Sequence, residues 1–481
     1  MVITISKRKD KITIEILGGN ADAVTGSCSQ ISFGSRKILF ECGTIQEGHT
    51  ILENYRLNSK MVSKIKAKQI DTVIIGHVHC DHIGNIPTLF ARGCRADILV
   101  PYGSLPILKE MWLDSAFINE RDCEQLSKHD KCYTPLYTQS EVFEAISNVI
   151  EVEIGSLVKI DDELSLQYQH AGHILCSCQA EVFIKQGSHT KKIVFTSDLG
   201  NVQTQKERVF IEPFKAIHKA NIVIGECTYS ARERHTETNL EKDIEKIKAV
   251  VTQYCIDSNN RVLIPCFSLD RTPFLLWLLY DLFGKDENFK VPIIVDSPLS
   301  NRLLNCYSSI LEGDKKEMFE ELMTWKNIQR VTKPEESKAV MASSGAKIIL
   351  SSSGMLTAGR SIKWTQSILP RSSDCILFVG YAGEGTLAHK IKNANSQKTI
   401  NIAGKPVKNK CQIVNLKNFS SHMQREDLIK YYKSFNCQKI YLCHGDKEDK
   451  LEFKTDLENA LADCLKSTRV VAVNSGTKIS I

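Results

Sequence analysis

The stretch HVHCDHIGNIP, residues 77–87, places His77, His79, Asp81 and His82 within six positions of one another. Imidazole nitrogens and carboxylate oxygens are the ligands that borderline divalent metals such as zinc prefer in proteins. A polar surface loop is the alternative interpretation of any one of these side chains, but four ligand-type groups at this spacing favour a metal site. The stretch follows the apolar run DTVIIG, so we expect it on a loop at the carboxyl end of a strand.

Three further segments place a His or an Asp after a predicted strand, namely AGHIL with His173, FTSDLG with Asp198 and YLCHGD with His444. One such residue alone is more often an ordinary loop residue, but their joint occurrence supports a shared site. The set suffices for two metals: His77, His79 and His173 for one, and Asp81, His82 and His444 for the other, with Asp198 bridging. A carboxylate must bridge, because its two oxygens can reach both ions. Two metals about 3.5–4 Å apart can supply a hydroxide and stabilise a phosphoryl displacement, which predicts phosphodiester hydrolysis.

Length and composition are those of an ordinary globular protein. The chain has 481 residues, 42% hydrophobic and 25% charged, and its length suggests about three domains. The opening MVITISKRKDKITIEIL carries charge where a secretory signal is apolar, and no run has the ~18 uninterrupted apolar residues of a membrane span. The 17 cysteines then predict free thiols in a reducing compartment. We therefore expect a cytoplasmic protein without membrane contact, whose net charge of +6 is compatible with a polyanionic substrate.

The pattern of apolar runs changes twice along the chain. The first two hundred residues contain short, nearly continuous apolar strands, which predict a sheet covered on both faces. From about residue 205, strands and helices alternate as in a parallel α/β unit, and after residue 400 the earlier pattern returns. The predicted organisation is one domain formed by 1–205 and 401–481, interrupted by a second domain at 206–400.

Together these motifs resemble a known family. HVHCDH, followed in order by AGHIL, TSDLG and CHGD, resembles the metallo-β-lactamase fold. The later segments GECTY, DSPLS, SSGMLTAG, GYAGEGTLAHKI and NFSSHMQRED resemble its β-CASP nuclease branch, as found in compact RNA-processing ribonucleases of bacteria and archaea. The resemblance implies a four-layer αββα metallo-β-lactamase fold with an inserted parallel α/β β-CASP domain. It also implies a ribonuclease with two Zn²⁺ per chain, acting as an endonuclease on single-stranded RNA, and leaves a homodimer open.

The resemblance implies catalytic roles for Asp81, Glu226 and His422. His422 would contact the scissile phosphate and protonate the leaving oxygen, with Glu226 orienting its ring. An imidazole can donate a proton near neutral pH, which is consistent with that role. The alternative for His422 is a polar loop residue at a helix start, where Ser420 or Ser421 could be the N-cap.

Glycine-containing segments are candidates for contact with the substrate backbone, because small residues permit a close approach. The implied substrate-binding residues are Ser353, Gly354, Gly385 and Thr386, together with His422. Nearby basic side chains either extend a phosphate track or are solvated surface charges; they are Arg360, Lys363, Lys390 and Lys392.

The chain departs from the family pattern at several positions. Glu41 stands where the family usually has Asp, which leaves the geometry of the ligand loop open. Asp270 stands where Gly is common, Pro273 and Phe274 replace a Gln-Glu pair, and His389 stands where Arg is frequent. Three other functions stay possible from sequence: a DNA nuclease of the Artemis type, a 5′ exoribonuclease, and a non-cleaving RNA-binding scaffold. His444 favours RNA over DNA by resemblance.

Overall fold

The computed structural model describes residues 11–128, 132–204, 206–231, 239–380 and 382–481. Backbone contacts divide them into two compact units. The first unit is the described part of Met1–Val202, Ile211–Thr236 and Ser421–Ile481, and the second is that of Gln203–Phe210 and Glu237–Ser420. The domain bounds predicted from sequence, 1–205, 206–400 and 401–481, stay a proposal beside these units.

Short strands and helices make up both units. In chain order, the strands are β1 (Thr13–Ile16), β2 (Ser29–Phe33), β3 (Arg36–Phe40), β4 (Thr72–Ile74), β5 (Asp97–Pro101), β6 (Val149–Val152), β7 (Leu157–Lys159), β8 (Leu164–His170), β9 (Cys178–Gln186), β10 (His189–Phe195), β11 (Ile222–Glu226), β12 (Arg261–Pro265), β13 (Ile293–Val295), β14 (Ile328–Arg330), β15 (Lys347–Ser351), β16 (Cys375–Phe378), β17 (Thr399–Ile402), β18 (Lys405–Lys408), β19 (Gln412–Asn415), β20 (Lys439–Cys443), β21 (Arg469–Ala472) and β22 (Lys478–Ser480). The α-helices are α1 (Ile51–Ser63), α2 (Cys80–Ile83), α3 (Ile86–Ala91), α4 (Leu105–Ser127), α5 (Gln139–Ile146), α6 (Leu240–Val251), α7 (Arg271–Phe283), α8 (Pro298–Ile310), α9 (Gly313–Thr324), α10 (Pro334–Ala342), α11 (Arg360–Ile368), α12 (Leu387–Lys392), α13 (Arg425–Ser434) and α14 (Lys447–Ala462). Among the described residues, no helix is long and apolar enough to cross a membrane.

Two seven-stranded sheets form the centre of the first unit. Their strand orders are β22-β1-β2-β3-β4-β5-β6 and β21-β20-β11-β10-β9-β8-β7. One apolar core lies between the sheets, and in it the rings of Phe40 and Phe195, one from each sheet, stack with centroids 4.2 Å apart. Buried strands of this kind need a second layer on their other face.

Helices supply that second layer. On the second sheet, α13 and α14 bury Tyr432 and Phe453 against outward-facing strand residues such as Val223. On the first sheet, Leu39 and Val73 point away from the shared core and are fully buried, and α1, α3, α4 and α5 pack on one another there. The four-layer αββα arrangement predicted from the sequence is confirmed.

Strand direction brings the motif loops to one edge of the first unit. Strands β10, β11 and β20 are mutually parallel, and β8 runs in the same direction because β9 is antiparallel to both β8 and β10. Their carboxyl ends therefore meet. The strand β4 of the other sheet joins this edge, since Cys178 N donates to the carbonyl of Gly76, just after β4, at 2.9 Å.

The second unit contains a six-stranded sheet of order β14-β13-β15-β12-β16-β19, in which all strand pairs are parallel. Its central strands β12 and β15 are buried along their whole length. One apolar cluster packs α11 and α12 against this sheet, with Trp364 at its centre. This unit has the parallel α/β architecture expected for the inserted domain.

Candidate metal centre

The loop after β4 and the short helix α2 carry the first ligand candidates. Backbone bonds hold this segment: Ser27 N donates to Asp81 O at 2.8 Å and Cys42 N to His82 O at 2.9 Å. Gly43 lies so close that a Cβ there would be 1.6 Å from Asp81 O. Only glycine permits this approach, so the chain at 41–44 fixes the backbone from which Asp81 and His82 project.

The first group of candidate ligands consists of three imidazoles and one carboxylate. His77 Nε2 lies 3.1 Å from His79 Nδ1, and His173 Nε2 lies 3.3 Å from that same atom. Asp198 Oδ2 is 3.6 Å from both His77 Nε2 and His173 Nε2. The four ligand atoms lie within 4.8 Å of one another, which is the spacing of donors around a single ion.

The second group lies on the other side of Asp198. His82 Nε2 and His444 Nε2 are 3.8 and 3.7 Å from Asp81 Oδ2. Asp198 Oδ1 is 3.3 Å from His82 Nε2 and 3.4 Å from His444 Nδ1. Each oxygen of Asp198 thus faces a different group, which is the placement that a bridging carboxylate requires.

Unsatisfied buried atoms test whether a metal fits this cluster. His82 Nε2, His444 Nε2 and Asp198 Oδ1 are buried and have no hydrogen-bond partner among the described residues. Such atoms cost free energy unless they are paired. Since all three point into the cluster and are metal-ligating atoms, a bound cation would satisfy them, and the donor set fits a metal cofactor.

Hydrogen bonds outside the cluster orient the imidazoles. His82 Nδ1 donates to Glu41 Oε2 at 2.6 Å, and His173 Nδ1 lies 3.3 Å from the carbonyl of Ser421. An acceptor oxygen at Nδ1 fixes the proton there and leaves Nε2 as the ligating nitrogen. The rings are therefore held in the tautomer that presents Nε2 to the cluster.

Burial and charge set the protonation states of two candidate ligands, His77 and Asp198. Burial lowers the pKa of His77 well below its ordinary value, so that its ring is neutral near pH 7. For Asp198, burial opposes ionisation, but the imidazoles of His444 and His82 outweigh it and hold its pKa well below the ordinary value. Metals bind neutral imidazole and ionised carboxylate, so these two residues have the protonation states that ligation needs.

His422 and Glu226 lie beside the first group. The segment 421–423 pairs with 199–201, because Asn201 N donates to Ser421 O at 2.9 Å and Met423 N to Leu199 O at 2.8 Å. This pairing places His422 Nδ1 3.6 Å from Glu226 Oε1 and 4.0 Å from Asp198 Oδ2. Helix α13 begins only after its N-cap Gln424, so the alternative of an N-cap at Ser420 or Ser421 is wrong.

Glu226 is fixed independently of His422. Its carboxylate accepts hydrogen bonds from Leu199 N at 2.9 Å and from Thr228 N at 2.7 Å, and it is 1% exposed. The hydroxyl of Tyr432 donates to its main-chain carbonyl at 2.5 Å. A rigid buried carboxylate facing an imidazole is suited to orienting that ring.

Ser353, Gly354, Gly385 and Thr386 lie in the second unit, whereas the fifth predicted substrate-binding residue, His422, lies in the first. Ser353 Oγ accepts from Thr357 N at 2.9 Å, and Thr386 caps α12 by accepting from His389 N at 3.2 Å. Gly385 has φ +83°, which favours glycine. The two segments lie side by side, because Ala388 N donates to Met355 O at 3.2 Å. Their role toward a substrate stays a proposal.

Two charged side chains of the second unit have internal partners. Arg360 Nη1 donates to the buried carboxylate of Asp296 at 2.6 Å, and the Trp364 indole binds the same carboxylate. Asp270, at φ +64°, accepts from Arg208 at 2.9 Å. The family's usual glycine at position 270 is explained by that backbone angle. Arg360 is therefore not a solvated surface charge, because an internal carboxylate holds its guanidinium group.

Sequence reasoning missed the residues that support the ligands. Ser197 Oγ lies 2.8 Å from His77 Nδ1, and Thr228 Oγ1 lies 2.9 Å from His444 Nδ1. Ser197 directly precedes Asp198, and Thr228 comes two residues after Glu226. Their nearness to these motif residues is the sequence feature that could have identified them. Glu41, singled out as a departure from the family, proves to contact His82 directly.

The described geometry and chemistry define an αββα metallo-hydrolase whose cluster of His and Asp side chains can hold metal ions. Comparison with known families agrees: a Beta-Casp domain matches residues 274–391, and a Zn-dependent metallo-hydrolase RNA specificity domain matches residues 406–466. These two matches support assignment to the β-CASP family.

Relatives of known name cover most of the chain. It is 26% identical to Ribonuclease TTHA0252 of Thermus thermophilus, over 89% of this chain and 92% of that protein. It is 26% identical to Transcription termination factor FttA of Methanocaldococcus jannaschii (92% and 68%) and 27% identical to an Integrator complex subunit 11 homolog of Dictyostelium discoideum (91% and 58%). A crystal structure of a protein of unknown function from Enterococcus faecalis has the same fold, with a TM-score of 0.56, 13% identity and coverage of 98% of this chain and all of that one.

Proposed function

We propose that this chain is a zinc-dependent ribonuclease that hydrolyses phosphodiester bonds within single-stranded RNA. The observation that carries the proposal is the pair of ligand groups facing the two oxygens of Asp198, with His422 and Glu226 beside them. The match to an RNA specificity domain and the similarity to a named ribonuclease support RNA as the substrate.

Seven residues of this chain would hold two zinc ions. They are His77, His79 and His173 on one side, Asp81, His82 and His444 on the other, and Asp198 between them. Bound there, zinc would lower the pKa of a coordinated water and neutralise charge on the phosphate oxygens. The ligands themselves need little rearrangement, because backbone bonds and outer hydrogen bonds already orient them.

His422 would move the proton that the leaving oxygen needs. Its Nδ1 faces Glu226 at 3.6 Å, which makes Nε2 the nitrogen that carries a proton toward the substrate. The buried Glu226 carboxylate would orient the ring for that transfer. Attack on phosphorus with departure of the 3′ oxygen would leave a 5′-phosphate and a 3′-hydroxyl.

Matched RNA and DNA oligonucleotides of one sequence, end-labelled and incubated with purified protein, test the proposal. We expect zinc-dependent cleavage of the RNA, with product ends as stated, and no cleavage by Asp198→Ala. Preferential cleavage of the DNA would indicate an Artemis-type nuclease. Binding of RNA without cleavage by the zinc-loaded wild type would indicate a scaffold instead.

A circular RNA tests the endonucleolytic mode, because a circle has no end at which an exonuclease can begin. We expect the wild type to linearise it and His422→Ala to leave it intact. An intact circle beside degraded linear RNA would show that the enzyme requires an end, as a 5′ exoribonuclease does. Sedimentation of the same preparation would show whether the chain forms a homodimer, which the sequence leaves open.

A further inference from the structure

One buried carboxylate is linked by hydrogen bonds to a histidine of each ligand group. Glu41 is 0% exposed. Its Oε2 accepts from His82 Nδ1 at 2.6 Å, while its Oε1 accepts from Ser197 Oγ at 2.7 Å. Ser197 Oγ in turn lies 2.8 Å from His77 Nδ1. Glu41 thus reaches the second group directly and the first group through one hydroxyl.

The protons in this chain of bonds can be assigned. A carboxylate only accepts, so the single hydroxyl proton of Ser197 goes to Glu41. Ser197 Oγ must then accept from His77, which places the proton of His77 on Nδ1. The same holds for His82, whose Nδ1 faces the carboxylate directly. Both rings are left with Nε2 as the metal-ligating nitrogen.

Backbone geometry indicates that this arrangement is built rather than incidental. Glu41 and Ser197 have φ of +60° and +50°, a region that non-glycine residues rarely adopt. Such conformations persist where the surroundings hold them. Gly76 leaves the room that Ser197 occupies, since a Cβ on Gly76 would lie 2.6 Å from both Ser197 Cβ and Oγ.

The length of the Glu41 side chain places its carboxylate within hydrogen-bonding distance of both His82 and Ser197. An aspartate at this position would withdraw the carboxylate by about one C–C bond, ~1.5 Å. Hydrogen bonds of 2.6 and 2.7 Å in two directions do not tolerate that shift. The glutamate therefore matches the bridge to Ser197 and His82.

We infer that Ser197 and Glu41 are positioning residues that act on different ligand groups. Ser197 raises the metal affinity of the His77 group alone, whereas Glu41 raises the metal affinity of both groups. The inference rests on the proposed zinc centre. Removal of a hydrogen-bond partner behind a ligating histidine typically lowers metal affinity 10–100-fold.

Zinc titration of the metal-free full-length protein, in competition with a chromophoric chelator, tests the inference without using RNA. For Ser197→Ala, and for Ser197→Gly, which also suits the positive φ, we expect one zinc equivalent to weaken about 10–100-fold and the other to keep its affinity. For Glu41→Gln we expect both to weaken. Ser27→Ala is the matched control, because Ser27 donates at 2.6 Å to Oε2 of the same carboxylate, the oxygen that His82 contacts, and Ser197 contacts the other oxygen; it should keep the affinity of the His77 group.

Cobalt substitution adds a spectroscopic check, because the visible absorption of bound Co²⁺ reports its ligand geometry. Ser197→Ala should alter the spectrum of one of the two cobalt equivalents, and Ser27→Ala should not. The inference would be overturned if both Ser197 variants bound two zinc ions with wild-type affinity, or if Ser27→Ala lost as much zinc affinity as they do. Neither result would contradict the proposed zinc centre. A folded wild-type protein that binds no zinc would overturn both.

Discussion

Replacing His422 by alanine separates proton transfer from metal binding. The His422 ring is 21% exposed and lies beside the cluster, with Nδ1 4.0 Å from Asp198 Oδ2. That distance is longer than a hydrogen bond. We therefore expect His422→Ala to keep its zinc and to bind RNA nearly as well as the wild type.

The expected loss is in the chemical step. A positioned general acid contributes about 10²–10⁴-fold to a rate, which corresponds to ~2.7–5.4 kcal/mol of activation free energy. Because Glu226 Oε1 is 3.6 Å from His422 Nδ1, longer than a hydrogen bond, Glu226→Gln should show a smaller loss of the same kind. A leaving oxygen that needs no proton would make both losses small.

Single-turnover cleavage of a labelled RNA measures this step apart from product release. His218→Ala is the control, since His218 is an exposed histidine of the same unit, bonded to Ser434, and its rate should equal that of the wild type. Zinc content is measured on the same samples. Loss of zinc in His422→Ala would make His422 a metal ligand and refute its role as proton donor.

Three further predictions concern metal and stability. Asp198→Ala should lower zinc content at both sites, whereas His77→Ala should lower it mainly at one; elemental analysis of both variants distinguishes shared from single ligation. Chelation should lower the free energy of unfolding by about 4 kcal/mol for each zinc site, relative to protein with free zinc at 1,000 times the Kd of that site, and a denaturant titration with unchanged midpoint would contradict metal binding to the folded state. Lys450→Met removes a fully buried ammonium that donates to two main-chain carbonyls, so unfolding should become easier by about 1–3 kcal/mol per carbonyl, while Lys454→Met on the same helix should change little.

The sequence was sufficient to predict the fold and to predict which ligand-type residues lie close together. Ligand-type residues followed apolar runs, and parallel strands bring their carboxyl ends to one edge, so His77, Asp198 and His444 could be expected together. The family resemblance supplied Glu226 and His422, which nothing in their own spacing distinguished from loop residues. The αββα fold is confirmed, whereas the cytoplasmic location stays a prediction.

Other features depended on atomic positions that periodicity does not encode. The bond between Ser197 and Glu41 joins residues far apart in the chain, both of which adopt a positive φ. Arg360 was expected on the surface or against a phosphate, but its partner Asp296 lies after a different strand of the same sheet. Such pairings follow from how strands are ordered, which local sequence does not determine.

Zinc-dependent RNA cleavage, followed as zinc is added back to metal-free protein, tests the central claim most directly. We expect no cleavage without metal and a cleavage rate that rises until two zinc ions are bound per chain and then stays constant. Cleavage by folded protein that contains no metal, or a folded protein that takes up zinc at neither group, would contradict the account.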